Sequence, residues 1–250
     1  EYEMTRSGWI IFSVLCVALL GGLVMISQRG KTDVSNVNTN NIQAASAENG
    51  NISDHVYGNM NSKVVIYEYG DFQCPGCGSA YPVIKQVTEK YKDKIGFVFR
   101  NFPLTTIHPN ALAASSAAEA ASLQGKYWEM HDKLYESQNS WKDLSGQTRT
   151  DYFKTLAAQV GVDTDKWTKD LDSEAIQKKV NFDQALGKKA GVSGTPSFFI
   201  GGKNVGDQYF EGDHIVATKT NDSRVVWSDA TAFENLVIKP ALKNAGIATE

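Results

Sequence analysis

The chain has 250 residues, 42% of them hydrophobic, and a formal net charge of −3 from 25 basic and 28 acidic residues. This length is enough for one substantial domain with its own core, and the hydrophobic fraction excludes a wholly disordered chain. Without a basic excess, no nucleic-acid partner is expected. The three cysteines exclude a scaffold held together by several disulfides.

The N-terminal segment predicts a membrane anchor that follows a short tail at residues 1–7. Residues 8–26 read GWIIFSVLCVALLGGLVMI and carry no charge. A helix of this length spans about 28 Å, close to the ~30 Å hydrocarbon core of a bilayer. The alternative is a cleaved signal peptide, but its apolar region is usually only about 7–15 residues long. We therefore expect a retained single-pass helix at the cell membrane, although the flanking Arg6, Arg29 and Lys31 mildly favour the orientation opposite to an extracytoplasmic domain.

Residues 27–62 predict a flexible polar linker. The segment is rich in Asn and Ser and has few large apolar side chains, so little burial is available to offset the entropy of ordering it. The folded domain is then expected over residues 63–250.

The pattern of apolar residues in this domain predicts strand, helix and strand, then a long helical stretch, then a strand and a helix. This order favours an α/β sheet with a helical insertion. The predicted strands are Lys63–Phe72, Lys94–Phe102 and Ser197–Lys203, and the predicted helices are Cys74–Tyr91, Asn110–Ser122, Tyr127–Ser137, Thr150–Val160, Ser173–Ala190 and Ala232–Asn244.

The motif Cys74-Pro75-Gly76-Cys77 is the main chemical feature of the sequence. A Cys-x-x-Cys can be half of a zinc site, but zinc normally needs four ligands and the chain has no second cysteine pair and no histidine pair at ligand spacing. No metal is therefore expected. As a redox dithiol, Cys74 would sit at a helix N-terminus that favours the thiolate, with Pro75 at the first helical position and Cys77 one turn later.

Two further positions carry weaker signals. Glu68 lies in the apolar strand six residues before Cys74, where a carboxylate is costly unless it has a task. Strand alternation allows the alternative that it faces solvent. Pro196, preceded by Thr195, marks a strand start at which a cis bond is possible.

The Cys-x-x-Cys motif, Glu68 and the Thr195–Pro196 segment, with the stretches around them, resemble the DsbA-like thiol:disulfide oxidoreductases of the thioredoxin superfamily, in their membrane-tethered bacterial form. The resemblance runs from Asp54 to Lys203 and implies a thioredoxin fold with a helical insertion over about residues 109–190. Its motifs are VVIYEYGDFQCPGC, GVSGTPSFFIGGK, DHVYG, FRNFPLTTIHPNALAAS and QGKYWEMHDKLYE.

The resemblance also implies roles for individual residues. Cys74 would be the exposed nucleophile that forms the mixed disulfide, and Cys77 the resolving thiol of a redox-active Cys74–Cys77 disulfide. Glu68 would be the buried acid that moves the proton of Cys77. Thr195 and Pro196 would form a cis-proline loop whose backbone pairs with an extended substrate.

Some residues stay without an assigned role. Trp128 and His131 match the family pattern, but core packing explains them equally well, and no role follows for His108. The sequence departs from the strongly oxidising members because no His lies between the cysteines. Asn204–Ala230 does not align and is expected to hold an extra strand pair or a partner contact.

The predicted function is an extracytoplasmic thiol:disulfide oxidoreductase that donates its disulfide to exported proteins. A reductase or isomerase would use the same residues, and a tethered binding or chaperone-like module with a structural Cys-x-x-Cys is the alternative of another class. No cofactor is expected, and the protein is expected to be a monomer. The resemblance implies re-oxidation by a membrane quinone-linked oxidase.

Overall fold

In a computed structural model, the described residues are 6, 9, 11–17, 19 and 32–249. The chain divides into two units, Glu1–Thr32 and Asp33–Glu250. Among the residues described, no helix combines the length and the apolar character needed to cross a membrane. Most of the anchor predicted at residues 8–26 lies outside the described residues, as does most of the tail.

A five-stranded mixed sheet forms the centre of the larger unit, in the order β1-β3-β2-β4-β5. Strands β2 and β3 are parallel, which requires a crossover, and helix α1 supplies it; β4 is antiparallel to β2. The central strand β2 is thus paired on both sides, and residues 66–70 are all buried. The bounds are β1 Val56–Gly58, β2 Val65–Gly70, α1 Pro75–Tyr91, β3 Gly96–Asn101, β4 Ser197–Ile200 and β5 Lys203–Asn204.

The predicted helical insertion is confirmed, since six helices connect β3 to β4. Apart from Glu119, the buried face of the alanine-rich α2 carries only small side chains, so its neighbours approach closely, and the Trp167 indole donates to the Ala117 carbonyl at 3.0 Å. The helices are α2 Ala111–Ser122, α3 Tyr127–Glu136, α4 Gln138–Trp141, α5 Gly146–Gln159, α6 Thr164–Asp170 and α7 Glu174–Lys189.

The C-terminal part differs from the prediction. The unaligned segment contains three short strands, β6 Tyr209–Glu211, β7 His214–Val216 and β8 Arg224–Val225. They form a small sheet in the order β7-β6-β8. The single helix expected over Ala232–Asn244 is broken into α8 Ala230–Phe233, a π-helical stretch Glu234–Ile238 and α9 Lys239–Asn244. Pro240 explains the break, because proline cannot donate within a regular helix and is placed here in the first turn of α9.

The second difference concerns residues 33–62, which belong to the predicted flexible linker but pack against the domain. The buried Arg100 donates to the carbonyls of Thr39 at 2.6 Å and Asn41 at 2.7 Å. Lys189 donates to the carbonyls of residues 34, 35 and 37 at 2.6–2.9 Å. Backbone carbonyls hold the segment, so its polar composition gave no sign of this order.

A cluster of buried charges holds the same segment to the sheet and to α7. Asp54 accepts from Arg100 at 2.8 Å and from Lys179 at 3.1 Å, and Lys179 also donates to Asp183 at 2.8 Å. Burial raises the pKa of Asp54, but Lys179 and Arg100 outweigh burial and bring it down to about 2. Lys179 and Arg100 thus stabilise the Asp54 charge inside the fold, whereas at Asp183 burial outweighs Lys179 and raises the pKa to about 6.

Replacing Lys179 by Met is expected to destabilise the protein by about 3–5 kcal/mol, because two buried carboxylates lose a shared cation. The neighbouring Lys178 forms an exposed pair with Glu174, so Lys178→Met should change stability by no more than about 0.5 kcal/mol. Urea unfolding followed by circular dichroism measures both. Equal midpoints for the two variants would contradict a structural role for the buried cluster.

Candidate active site

The turn between β2 and α1 places Cys74 at the start of a helix. Cys74 is the N-cap residue, with extended backbone angles, and Pro75 occupies the first turn, where no N–H is needed. The Cys74 N–H donates to the Asp71 carbonyl, and the Gly78 N–H donates to the Cys74 carbonyl, both at 3.0 Å. The thiol therefore lies at the positive end of the helix dipole, as the motif predicts.

The loop before β4 lies against Cys74, although it is 121 residues away in sequence. The Thr195–Pro196 bond is cis, as the resemblance implies. The Thr195 carbonyl oxygen lies 3.3 Å from Cys74 Sγ. A Cβ on Gly76 would lie 3.2 Å from Pro196 Cδ, so the motif has a glycine where the two loops approach most closely.

Cys74 is less accessible than expected. Only 7% of the residue is exposed, because the loop of Thr195 and Pro196 covers it. The pKa of Cys74 is nevertheless lowered to about 5: the Cys77 thiol donates to it, burial opposes this, and the N–H groups of Gly76 and Cys77 contribute further. Cys74 is therefore a thiolate at neutral pH.

Cys77 has the opposite character. It is fully buried, and burial raises its pKa well above the ordinary value of 9.0, with further contributions from Cys74 and Glu68. The Asp71 N–H lies 3.5 Å from its sulfur. Both cysteines are free thiols here, so the structure represents the dithiol form, and the Cys74–Cys77 disulfide stays a prediction.

Glu68 is buried on the central strand β2, which excludes the alternative that it faces solvent. It is 4% exposed, and it pairs in register with Phe99 of β3 and Phe198 of β4. Burial raises its pKa to about 8, with a smaller contribution from Cys74. At neutral pH the carboxyl is therefore mostly protonated and can give up a proton.

The sequence interpretation missed a set of side chains that hold the active-site turn. Gln138 of α4 donates to the carbonyls of Phe72 at 2.7 Å and Cys74 at 3.0 Å. The helical insertion thus fixes the N-cap directly. No sequence signal marks Gln138, because its partners are backbone groups more than sixty residues away.

Asp71 was also missed, and it gives His108 a place in the site. Its carboxylate accepts from the backbone of Gln73 at 2.8 Å and of Leu104 at 2.9 Å, and it contacts His108 Nδ1 at 2.7 Å. The available sequence signal was an aspartate directly after an apolar strand, and in the structure this residue is fully buried. His131 and Trp128 lie farther from Cys74, where they line a cavity together with Glu68.

Replacing Glu68 by Gln should raise the free energy of unfolding at neutral pH but not near pH 4. The pKa of this carboxyl is 4.5 ordinarily and about 8 in the folded protein. As the pH rises between these two values, the unfolded chain loses its proton first, so the folded protein becomes less stable. The gain should be on the order of 3 kcal/mol at pH 7. Denaturation at a series of pH values measures it, with the exposed Glu136→Gln as control; a gain independent of pH would contradict the assignment.

Comparison with known proteins places this geometry in a family. A family model described as Thioredoxin matches residues 50–213, more than half of the chain. Among solved structures, oxidised BdbD from Bacillus subtilis is similar with a TM-score of 0.59 and 19% identity, over 82% of this chain and 100% of that one. Wolbachia pipientis alpha-DsbA1 is similar with a TM-score of 0.58 and 24% identity, over 76% and 92% of the two chains. These likenesses show the fold.

A curated relative carries a different name. Na(+)/H(+) antiporter NhaA 1 of Salinispora arenicola is 37% identical over 150 residues, which is 60% of this chain and 22% of that protein. The chain thus spans less than a quarter of the length of the curated relatives it matches, and the antiporter name describes those longer proteins. Since the family model covers most of the folded unit, the chain belongs to the thioredoxin family.

Proposed function

We propose that this protein is a thiol:disulfide oxidoreductase that exchanges a Cys74–Cys77 disulfide with exported protein substrates. The observation that carries the proposal is the opposite tuning of two thiols one helical turn apart. The pKa of Cys74 is lowered to about 5, whereas burial raises that of Cys77 far above 9.0. A structural cysteine pair needs no such asymmetry, so it argues against a binding module with an inert motif.

The proposed reaction moves two electrons by thiol exchange. A substrate thiolate attacks Cys74 Sγ of the disulfide, the Cys74–Cys77 bond breaks, and Cys77 leaves as a thiolate that takes a proton from Glu68. A second substrate thiolate then attacks the substrate sulfur of the mixed disulfide. The substrate is oxidised to a disulfide, and Cys74 leaves as a stabilised thiolate.

The loop of Thr195 and Pro196 is proposed to hold the substrate. It lies against Cys74, with the Thr195 carbonyl 3.3 Å from the sulfur, so a chain attached to Cys74 passes beside the Thr195 backbone. Extended peptides bind such exposed backbone by pairing as a strand. Recognition through backbone groups suits a protein that accepts many unfolded substrates.

The direction we propose is oxidation of substrates. Stabilising the Cys74 thiolate stabilises the reduced protein and so makes its disulfide the better oxidant. A reductase or isomerase remains the alternative within the same chemistry. Disulfide formation belongs to oxidising compartments, so we place the domain outside the cytoplasm, anchored through residues 8–26 and re-oxidised by a membrane quinone-linked oxidase.

Replacing Cys74 by Ser in the full chain is expected to reduce disulfide transfer to a reduced, unfolded substrate to the uncatalysed rate, because the attacked sulfur is gone. Cys16→Ala removes the third cysteine and should leave the rate unchanged. Free-thiol titration over time measures both. Undiminished transfer by Cys74→Ser would overturn the proposal.

Equilibration with glutathione buffers of known potential tests the direction. We expect a reduction potential closer to that of a strong oxidant, about −120 mV, than to the thioredoxin value of about −270 mV. Alkylation of the remaining thiols followed by mass measurement gives the reduced fraction at each buffer potential. A value near −270 mV would assign the protein to the reductases.

A further inference from the structure

A small cavity between α1 and α3 extends from Glu68 towards the surface. Its volume is about 40 Å³, and it is lined by Glu68 at the inner end and by His131, Asp132 and Lys85 farther out. A water needs roughly 10–15 Å³ of such volume. The cavity therefore has room for about three water molecules.

The inner end of the cavity is rich in polar groups without protein partners. Within residues 32–249, the groups that act on the Glu68 carboxyl include no hydrogen-bond partner: its pKa is raised by burial and by Cys74 alone. The Nε2 atom of His131 and the hydroxyl of Tyr135 are also buried without a hydrogen-bond partner in the described structure. Such groups are normally satisfied by water, so this cavity is expected to be hydrated.

The outer end of the cavity reaches solvent through one chain of contacts. His131 Nδ1 lies 3.1 Å from Asp132 Oδ1, and Lys85 Nζ donates to Asp132 Oδ2 at 2.5 Å. The side chains of Asp132 and Lys85 are 30% and 47% exposed, whereas that of His131 is 5% exposed. The imidazole therefore has one nitrogen towards a partly exposed carboxylate and the other buried next to the cavity.

We propose that His131, oriented by Asp132, relays protons between Glu68 and solvent during each exchange cycle. The inference rests on the proposed function, in which Glu68 gives its proton to the Cys77 thiolate. His131 first takes a proton from the solvent side and becomes cationic. It then gives a proton to water in the cavity, that water gives one to the Glu68 carboxylate, and the ring is neutral again. Re-oxidation of the dithiol reverses every transfer, so no proton is left in the core.

The ionisation of His131 suits this task. Burial lowers its pKa, and Asp132 opposes this, so the ring is neutral at rest and becomes cationic only in passing. The charged and titratable groups that face His131 come from α3, α1, β2 and the segment just before β1. They are Asp132, Tyr135 and Tyr127 on α3, Lys85 and Tyr81 on α1, Glu68 on β2, and His55 before β1.

The test uses His131→Gln in the full chain and follows a single turnover of the oxidised protein with a reduced peptide. We expect opening of the Cys74–Cys77 disulfide to slow at least tenfold at pH 7, and imidazole in the buffer to restore part of the rate. Alkylation of Cys74 in the reduced protein should stay within twofold of wild type. His214→Gln, an exposed histidine, should leave every rate unchanged.

Two further variants separate a proton role from a packing role. Asp132→Asn keeps the size of a partly exposed side chain, so the fold should be retained, and it should slow the same step about threefold. In a Glu68→Gln background, His131→Gln should cause no additional loss, because both residues lie on one path. The relay would be overturned if the wild type is active and both His131→Gln and Asp132→Asn open the disulfide at the wild-type rate. It would also be overturned if the losses from His131→Gln and Glu68→Gln are fully additive. An inactive wild type would instead overturn the proposed function itself.

Discussion

The burial of Glu68 on the central strand, where it interacts electrostatically with both thiols, is the constraint on which the site depends. The central strand is paired on both edges and covered on both faces, so a carboxyl there has no bulk solvent to stabilise its charge. Its pKa of about 8 and the raised pKa of Cys77 have the same origin, which is burial. The negative charge of a redox cycle therefore concentrates on Cys74, the thiol whose pKa is lowered.

The helical insertion does more than cover the sheet. Gln138 holds two carbonyls of the active-site turn, and α3 carries the aromatic and histidine side chains that enclose the cavity beside Glu68. The strand, the insertion and the cis-proline loop all meet at Cys74. The position of the thiol is therefore set jointly by the backbone of the turn and the loop and by the Gln138 side chain.

The sequence predicted local features better than long-range ones. The strands and helices around the motif lie within about two residues of their predicted ends, because apolar alternation and a proline at the helix start are local signals. The position of Glu68 was ambiguous, since alternation alone does not say that both faces of a central strand are covered. Gln138, Asp71 and the order of residues 33–62 were missed because their partners are backbone groups distant in sequence.

The packing around Gly76 leaves little room for a histidine between the cysteines. Gly76 lies so close to Pro196 that even a Cβ would meet Pro196 Cδ at 3.2 Å, and any longer side chain would have to turn away from the loop. The thiolate of Cys74 is stabilised first by the Cys77 thiol and then by N–H groups of the first helical turn. These donors are lost or rearranged when Cys77 enters a disulfide. The stabilisation therefore belongs to the reduced state, which supports the proposed oxidation of substrates by the Cys74–Cys77 disulfide.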